Sequence, residues 1–192
     1  MRMTRKIAGF SLLEVLLAVF ILSVGLLGVA GLQLTSKRSN QEAVQRTTAT
    51  MLARDLAERM RANPGQRAVY TDGGTRVMVS DVAPMAAVDC EGAECTPDNM
   101  ALYDLYQWEQ QLLGVAELKG GNNAGGLTSP VACIVQDAGD PMHVVVAIAW
   151  RGMQELENPG INDCGSDTGL YDKADGDNLY RRVLVVDTYL EL

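Results

Sequence analysis

The stretch that decides the fold is "RKIAGFSLLEVLLAVFILSVGLLGVAGLQL", residues 5–34. From Phe10 to Leu34 its only charge is Glu14. A helix over those positions would reach about 37 Å, against roughly 30 Å of bilayer hydrocarbon. Arg2, Arg5 and Lys6 precede the run, and Lys37 and Arg38 follow it. The stronger basic cluster is N-terminal, so the short tail is expected on the cytoplasmic side, with the remainder across the membrane. Two other readings fit less well. A secretory signal peptide has an apolar run of about 7–15 residues closed by a small-residue cleavage site. This run is longer and leads directly into more helix-forming sequence. A plain membrane anchor explains the length but neither Glu14 nor the Gly9-Phe10 junction just before the run.

Glu14 lies about one turn into the apolar segment, from where it can reach toward the interface. A centrally placed acid costs roughly 2.5–3.5 kcal/mol on insertion, and a shallow one less. Simple snorkelling is the bland reading. An ionisable group inside a membrane segment is by default a functional hypothesis.

"GFSLLEV", residues 9–15, resembles the processing site of type IV pilins and pseudopilins. "ILSVGLLGVAGLQ", residues 21–33, extends the resemblance to the PilV minor pilins of Gram-negative type IV pili. It is sharp over residues 5–63 and looser beyond. The resemblance implies a prepilin peptidase that cuts after Gly9 and methylates the new amine on Phe10. It also implies that Glu14 guides the subunit into a growing filament. The fold implied is pilin-like α+β, with a long N-terminal helix packed on a C-terminal antiparallel sheet.

The chain has 192 residues and a formal charge of −8. Loss of a leader carrying Arg2, Arg5 and Lys6 would take it to −11. Such acidity argues against nucleic-acid binding, which favours a basic face. After Leu34 the sequence turns amphipathic. Val44, Thr48, Met51, Leu56 and Met60 follow helical steps, with Arg46, Arg54, Asp55 and Arg61 among the polar positions. No proline precedes Pro64, and "NPG" at 63–65 is a strong stop. One helix is therefore expected from Phe10 to about Ala62. Gly25, Gly28 and Gly31 lie three residues apart, as close helix packing in a membrane would use. Local melting on entry into a filament is the alternative. In the main subunits of the resembled family a proline commonly stands where this chain has Gly31.

The expected organisation is a leader at 1–9, a helix over 10–63 with its membrane span at 10–34, and a periplasmic head at 64–192. Within the head, "RAVYTDGGTRVMVSDV" (67–82) reads as a hairpin around Asp72-Gly73-Gly74. "CTPDNMALYDLYQWEQQLL" (95–113) reads as a helix. Thr96 is its cap, Pro97 its first residue and Asp98 a dipole complement, with Ala101, Leu105, Trp108 and Leu112 on one face. "KGGNNAGG" breaks the chain, and "VACIVQD", "HVVVAIAW" and "RRVLVVDTYLEL" read as strands. Trp108 is expected to pack the helix rather than bind a sugar.

Catalytic and metal-binding constellations are thin. There is one histidine, His143, at the start of an apolar strand, where a structural or exposed role is expected. No G-x-S-x-G and no phosphate-cradling loop occur, and no cofactor is expected. Asp163, Asp167, Asp172, Asp175 and Asp177 gather in "NDCGSDTGLYDKADGDN" (162–178). That loop lacks EF-hand register, so a solvated acidic loop is the default and calcium the alternative.

The four cysteines, Cys90, Cys95, Cys133 and Cys164, suggest disulfides in an exported domain. Cys90 and Cys95 are spaced C-x₄-C, unlike a thiol oxidoreductase. Three pairings are possible. If "VACIVQD" and "HVVVAIAW" form an antiparallel hairpin, the loop carrying Cys164 leaves beside Cys133, which favours Cys133–Cys164. Cys90–Cys95 would then close locally around Gly92.

The expected function is that of a minor pilin in type IV pilus assembly or initiation. The resemblance implies a tip or priming complex with other minor pilins, contact with the major pilin through the N-terminal helix, and a large tip adhesin as a further partner. The expected location is the inner membrane, with a periplasmic head, then the pilus of a Gram-negative bacterium. A minor pseudopilin of a type II secretion system is the close alternative. A membrane-anchored periplasmic enzyme is the distant one.

Overall fold

The computed structural model describes residues 11–80, 90–92, 94–115, 118–120, 122–123, 125–174 and 176–191. Its first helix, α1, runs over Leu12–Ala62. Packing divides the chain into two compact units, residues 1–40 and 41–192. In the first, helix side chains are exposed throughout, and the stretch is long and apolar enough to cross a membrane. Two of its hydroxyls are satisfied within the helix. Ser23 Oγ donates to the Val19 carbonyl at 2.8 Å and Thr35 Oγ1 to the Gly31 carbonyl at 3.2 Å, as an apolar solvent requires. A Cβ at Gly25, Gly28 or Gly31 would meet nothing within 4 Å, so these positions leave a neighbouring helix room to approach.

The second unit begins inside α1, at Gln41, so the last turns of the helix belong to the head as packed. Their buried stripe is Gln45, Ala49, Leu52, Ala53, Leu56, Ala57 and Met60. This corrects the expected one: Leu56 and Met60 are in it, but Val44 and Met51 are 56% and 66% exposed. The ridge is built on alanines, which let the helix approach closely, whereas the sequence reading followed the larger apolar residues. Gln45 is tolerated there because its Nε2 donates to Thr128 Oγ1 at 2.6 Å.

Helix α1 stops at Ala62, and Pro64–Gln66 form a single 3-10 turn. The expected hairpin over 67–82 is corrected too. Arg67–Tyr70 form a short helix, α2, and the first strand, β1, is Thr75–Val79. The reason is tertiary. Tyr70 is buried, and the Arg76 guanidinium folds back onto the Val69 and Tyr70 carbonyls at 2.8 and 3.0 Å. That consumes acceptors a hairpin partner would need.

Helix α3 spans Pro97–Leu113. Thr96 Oγ1 caps it by accepting from the Asn99 amide at 3.3 Å. Gly114 ends it at φ 64°, and a Cβ there would overlap the Gly125 carbonyl. Ala101, Leu105, Trp108 and Leu112 are all buried. Trp108 packs against α1, its Nε1 donating to the Leu52 carbonyl at 2.8 Å. Within the glycine-rich break, Leu118–Lys119 (β2) and Asn122–Asn123 (β3) pair as a two-residue ladder.

The main sheet adds β4 (Val131–Gln136), β5 (His143–Arg151) and β6 (Arg181–Tyr189) to β1 in the order β1-β4-β5-β6, every pair antiparallel. Ala132, Ile134, Val144, Val146, Ile148 and Trp150 share a core with α1 and α3. Val131, Cys133, Ala147 and Ala149 form a second core with Cys164 and Tyr171 on the opposite face. Burial on both faces explains why these strands read as nearly unbroken apolar runs rather than alternating ones. The architecture is pilin-like α+β.

Candidate functional site

Gly9 and Phe10 lie outside the described residues. Ser11 stands just before α1, and the Glu14 amide donates to its Oγ at 3.2 Å and to its carbonyl at 3.1 Å. Ser11 thus caps the helix, a role the sequence reading missed although "SLLE" carries the S-x-x-E signature. The Glu14 side chain is exposed in the first turn and makes no ion pair among the described residues. The positive end of the helix favours a carboxylate at this position.

In the head, Cys133 is bonded to Cys164 and Cys90 to Cys95, with Cα separations of 5.9 and 5.6 Å. The pairing Val131↔Ala149 in the β4–β5 hairpin puts Cys133 near the end of β5, from which the Cys164 loop departs. Arg181 holds the same loop from inside. It is 1% exposed and donates to the Cys164 and Pro159 carbonyls at 3.0 and 3.1 Å, to Asn158 Oδ1 at 2.9 Å, and to the Asn162 carbonyl. Burial pushes its pKa down.

The aspartate-rich loop uses its carboxylates on its own backbone. Asp177 accepts from the Lys173, Ala174 and Leu179 amides at 2.9–3.3 Å, and Asp172 from the Gly176 and Asn178 amides at 3.1 and 2.9 Å. The backbone donors, Lys173 first, hold Asp177 below the usual carboxylate range. Glu155 binds Lys173 at 2.8 Å and the Tyr180 hydroxyl at 2.9 Å, which lowers its pKa and raises those of Lys173 and Tyr180. Asp175 lies outside the described residues. Among those described, no group of three His, Cys, Asp or Glu side chains is placed to hold a metal ion.

His143 sits between Asp187 and Asp137, at 3.2 and 3.7 Å, and stacks on Tyr189 with ring centroids 4.9 Å apart. Asp137 is held below its ordinary pKa chiefly by the Gly139 and Asp140 amides of the β4–β5 turn, with His143 adding to them. The cluster therefore shapes a turn and a strand end.

Two polar ties anchor α1 within the head. Glu42 pairs with Arg182 at 3.1 Å and accepts from the Met153 amide at 2.6 Å. Arg59 pairs with Asp55 at 2.8 Å and Asp104 at 3.1 Å. Asp104 also accepts from the Tyr70 hydroxyl at 2.6 Å; burial first, and that bond second, push the Tyr70 pKa well up. Sequence reasoning found neither tie. Glu42 and Arg182 are 140 positions apart and carry no local signal.

Comparison with known families covers the first half of the chain. Residues 4–30 match the prokaryotic N-terminal methylation motif, and residues 31–106 match the family described as type IV pilin Tt1218. Over those two stretches the chain is similar to a type IV pilin family and carries the methylation motif. Residues 107–192 lie beyond both matches. No curated protein matches the chain, and no solved structure does.

Proposed function

We propose that this chain is a minor pilin, PilV-like, that takes part in initiating or priming a type IV pilus with other minor pilins. The observation that carries the reading is the methylation motif at 4–30, most of which lies in a helix apolar enough to cross a membrane. In this reading a prepilin peptidase removes residues 1–9 and methylates Phe10. The span over 10–34 holds the subunit in the inner membrane of a Gram-negative cell, with the head over 64–192 in the periplasm. Glu14 then pairs with the amine of a neighbouring Phe10 as the helix leaves lipid for the filament, which offsets the cost of a lone acid in the apolar segment. The major pilin and other minor pilins are met through the helix, and a large tip adhesin through the head. The pilin match fits a structural role rather than catalysis. The test is recovery of the tagged protein in sheared pili, together with pilus counts in a strain lacking it. Normal piliation without the protein, and its absence from pili, would overturn the reading.

A further inference from the structure

Beside β6 lies a groove of about 430 Å³ between α1 and the loop after β5. Its wall carries Glu42 and Arg46 from α1, Arg182 and Val183 from β6, and Leu156 from the loop, with Trp150 also lining it. Three observations there have no use in the fold. Trp150 is 3% exposed, yet its Nε1 has no hydrogen-bond acceptor among the described residues, a cost that native interiors rarely carry. Arg46 is exposed and makes no ion pair among the described residues, while Glu42 is already paired with Arg182. With Arg181 and Glu157 counted, the lining is net positive in a chain whose formal charge is −8.

The third observation is the edge of β6. The Gly152 amide bonds to the Tyr180 carbonyl and the Leu190 amide to the Met142 carbonyl. With the unbroken register between, even-numbered β6 residues direct their backbone groups at β5, and odd-numbered ones direct theirs outward. Val183, Val185 and Asp187 thus offer outward N–H and C=O groups with no partner among the described residues. Neither proline nor a bulge blunts this edge, and such an edge is a template for another strand. Its first outward residue, Val183, also lines the groove. Leu156 and Ile161, on the neighbouring loop, are 55% and 72% exposed.

We infer that the β6 edge and its groove dock an extended, carboxylate-bearing segment of a partner protein. The inference rests on the minor-pilin reading for its biological setting. The segment adds as a strand beside Val183 and Val185, which satisfies a row of alternating amides and carbonyls. A carboxylate of the segment meets Arg46, at the groove that Trp150 also lines. A second copy offering its own β6 is the other occupant. Self-association is read in the test as a dimer.

The experiment uses the full chain in nanodiscs and two synthetic peptides, acetyl-Glu-Val-Glu-Val-Glu-Val-amide and its lysine counterpart. The chain has two tryptophans, so its indole N–H spectrum has two resonances. The glutamate peptide is expected to shift the Trp150 signal and leave that of Trp108, already bonded to Leu52, in place. Arg46→Glu is expected to weaken binding about tenfold. Val185→Pro, which removes an outward amide and spares the β5 ladder, is expected to abolish it, with the unchanged Trp108 signal reporting an intact fold. An unmoved Trp150 signal at saturating peptide, equal binding of the lysine peptide, or a dimer that Arg46→Glu dissolves would overturn the inference. Because binding is read on the isolated protein, failure here leaves the pilus-recovery test standing, and failure of that test leaves this one.

Discussion

In the proposed function, Glu14 is the residue that guides the subunit into the filament. It is a lone acid that makes the apolar segment costlier to insert, so Glu14→Val is expected to leave membrane insertion intact or improved while impairing entry into pili. Membrane fractionation with a blot of sheared pili checks this; normal incorporation would reduce Glu14 to a tolerated acid held by a capping position. Arg181 is the matching case in the head. Replacing it with methionine leaves several buried carbonyls without a donor, and the expected loss is about 3 kcal/mol in thermal unfolding. The acid side of stability follows from Asp137, Glu155 and Asp177, all held below their ordinary values. Depressed folded values add stability that is present above the unfolded carboxylate range and lost as pH falls through the folded values. The melting temperature is therefore expected to drop as pH is lowered below about 4, and less steeply in Asp177→Asn.

At the scale of elements, the cap at Thr96, the stop at Asn63-Pro64-Gly65 and the β4–β5 hairpin were legible because each is decided by a few neighbouring residues. The buried stripe of α1 was not, because it is an alanine ridge chosen by what lies against it. A paired substitution separates the two readings. Ala53→Leu is expected to destabilise the head by about 1–3 kcal/mol through overpacking. Met51→Ala, at an exposed position, is expected to change it by less than about 0.5 kcal/mol. The segment 67–79 was misread for a related reason: "DGG" is a fair hairpin signal, but buried Tyr70 and the return of Arg76 favour a helical turn. Crosslinking sets the stability of the long loop. Opening Cys133–Cys164, which spans a sequence separation of 31, is expected to cost about 3–4 kcal/mol in the chain-entropy treatment. Opening Cys90–Cys95, with a separation of 5, should cost about 2. Chemical denaturation of the two Cys-to-Ala pairs orders them.

For the whole molecule, the membrane-type helix and the α+β class could be read from the chain, since length, charge placement and hydrophobic runs are properties of composition. The long-range ties could not. Glu42 meets Arg182, and Arg59 meets Asp104, only because the part of α1 beyond Gln41 packs within the head, and no local pattern announces either pair. The groove beside β6 was invisible for the same reason: Arg46 and Trp150 come from distant parts of the chain.

The central claim is a processed pilin subunit built into a filament, and the N-terminal peptide of the protein recovered from sheared pili tests it most directly. Mass spectrometry is expected to find that peptide beginning at Phe10 with a methylated amine. A peptide that keeps residues 1–9 in a peptidase-positive cell, or pili from which the protein is absent, would contradict the account.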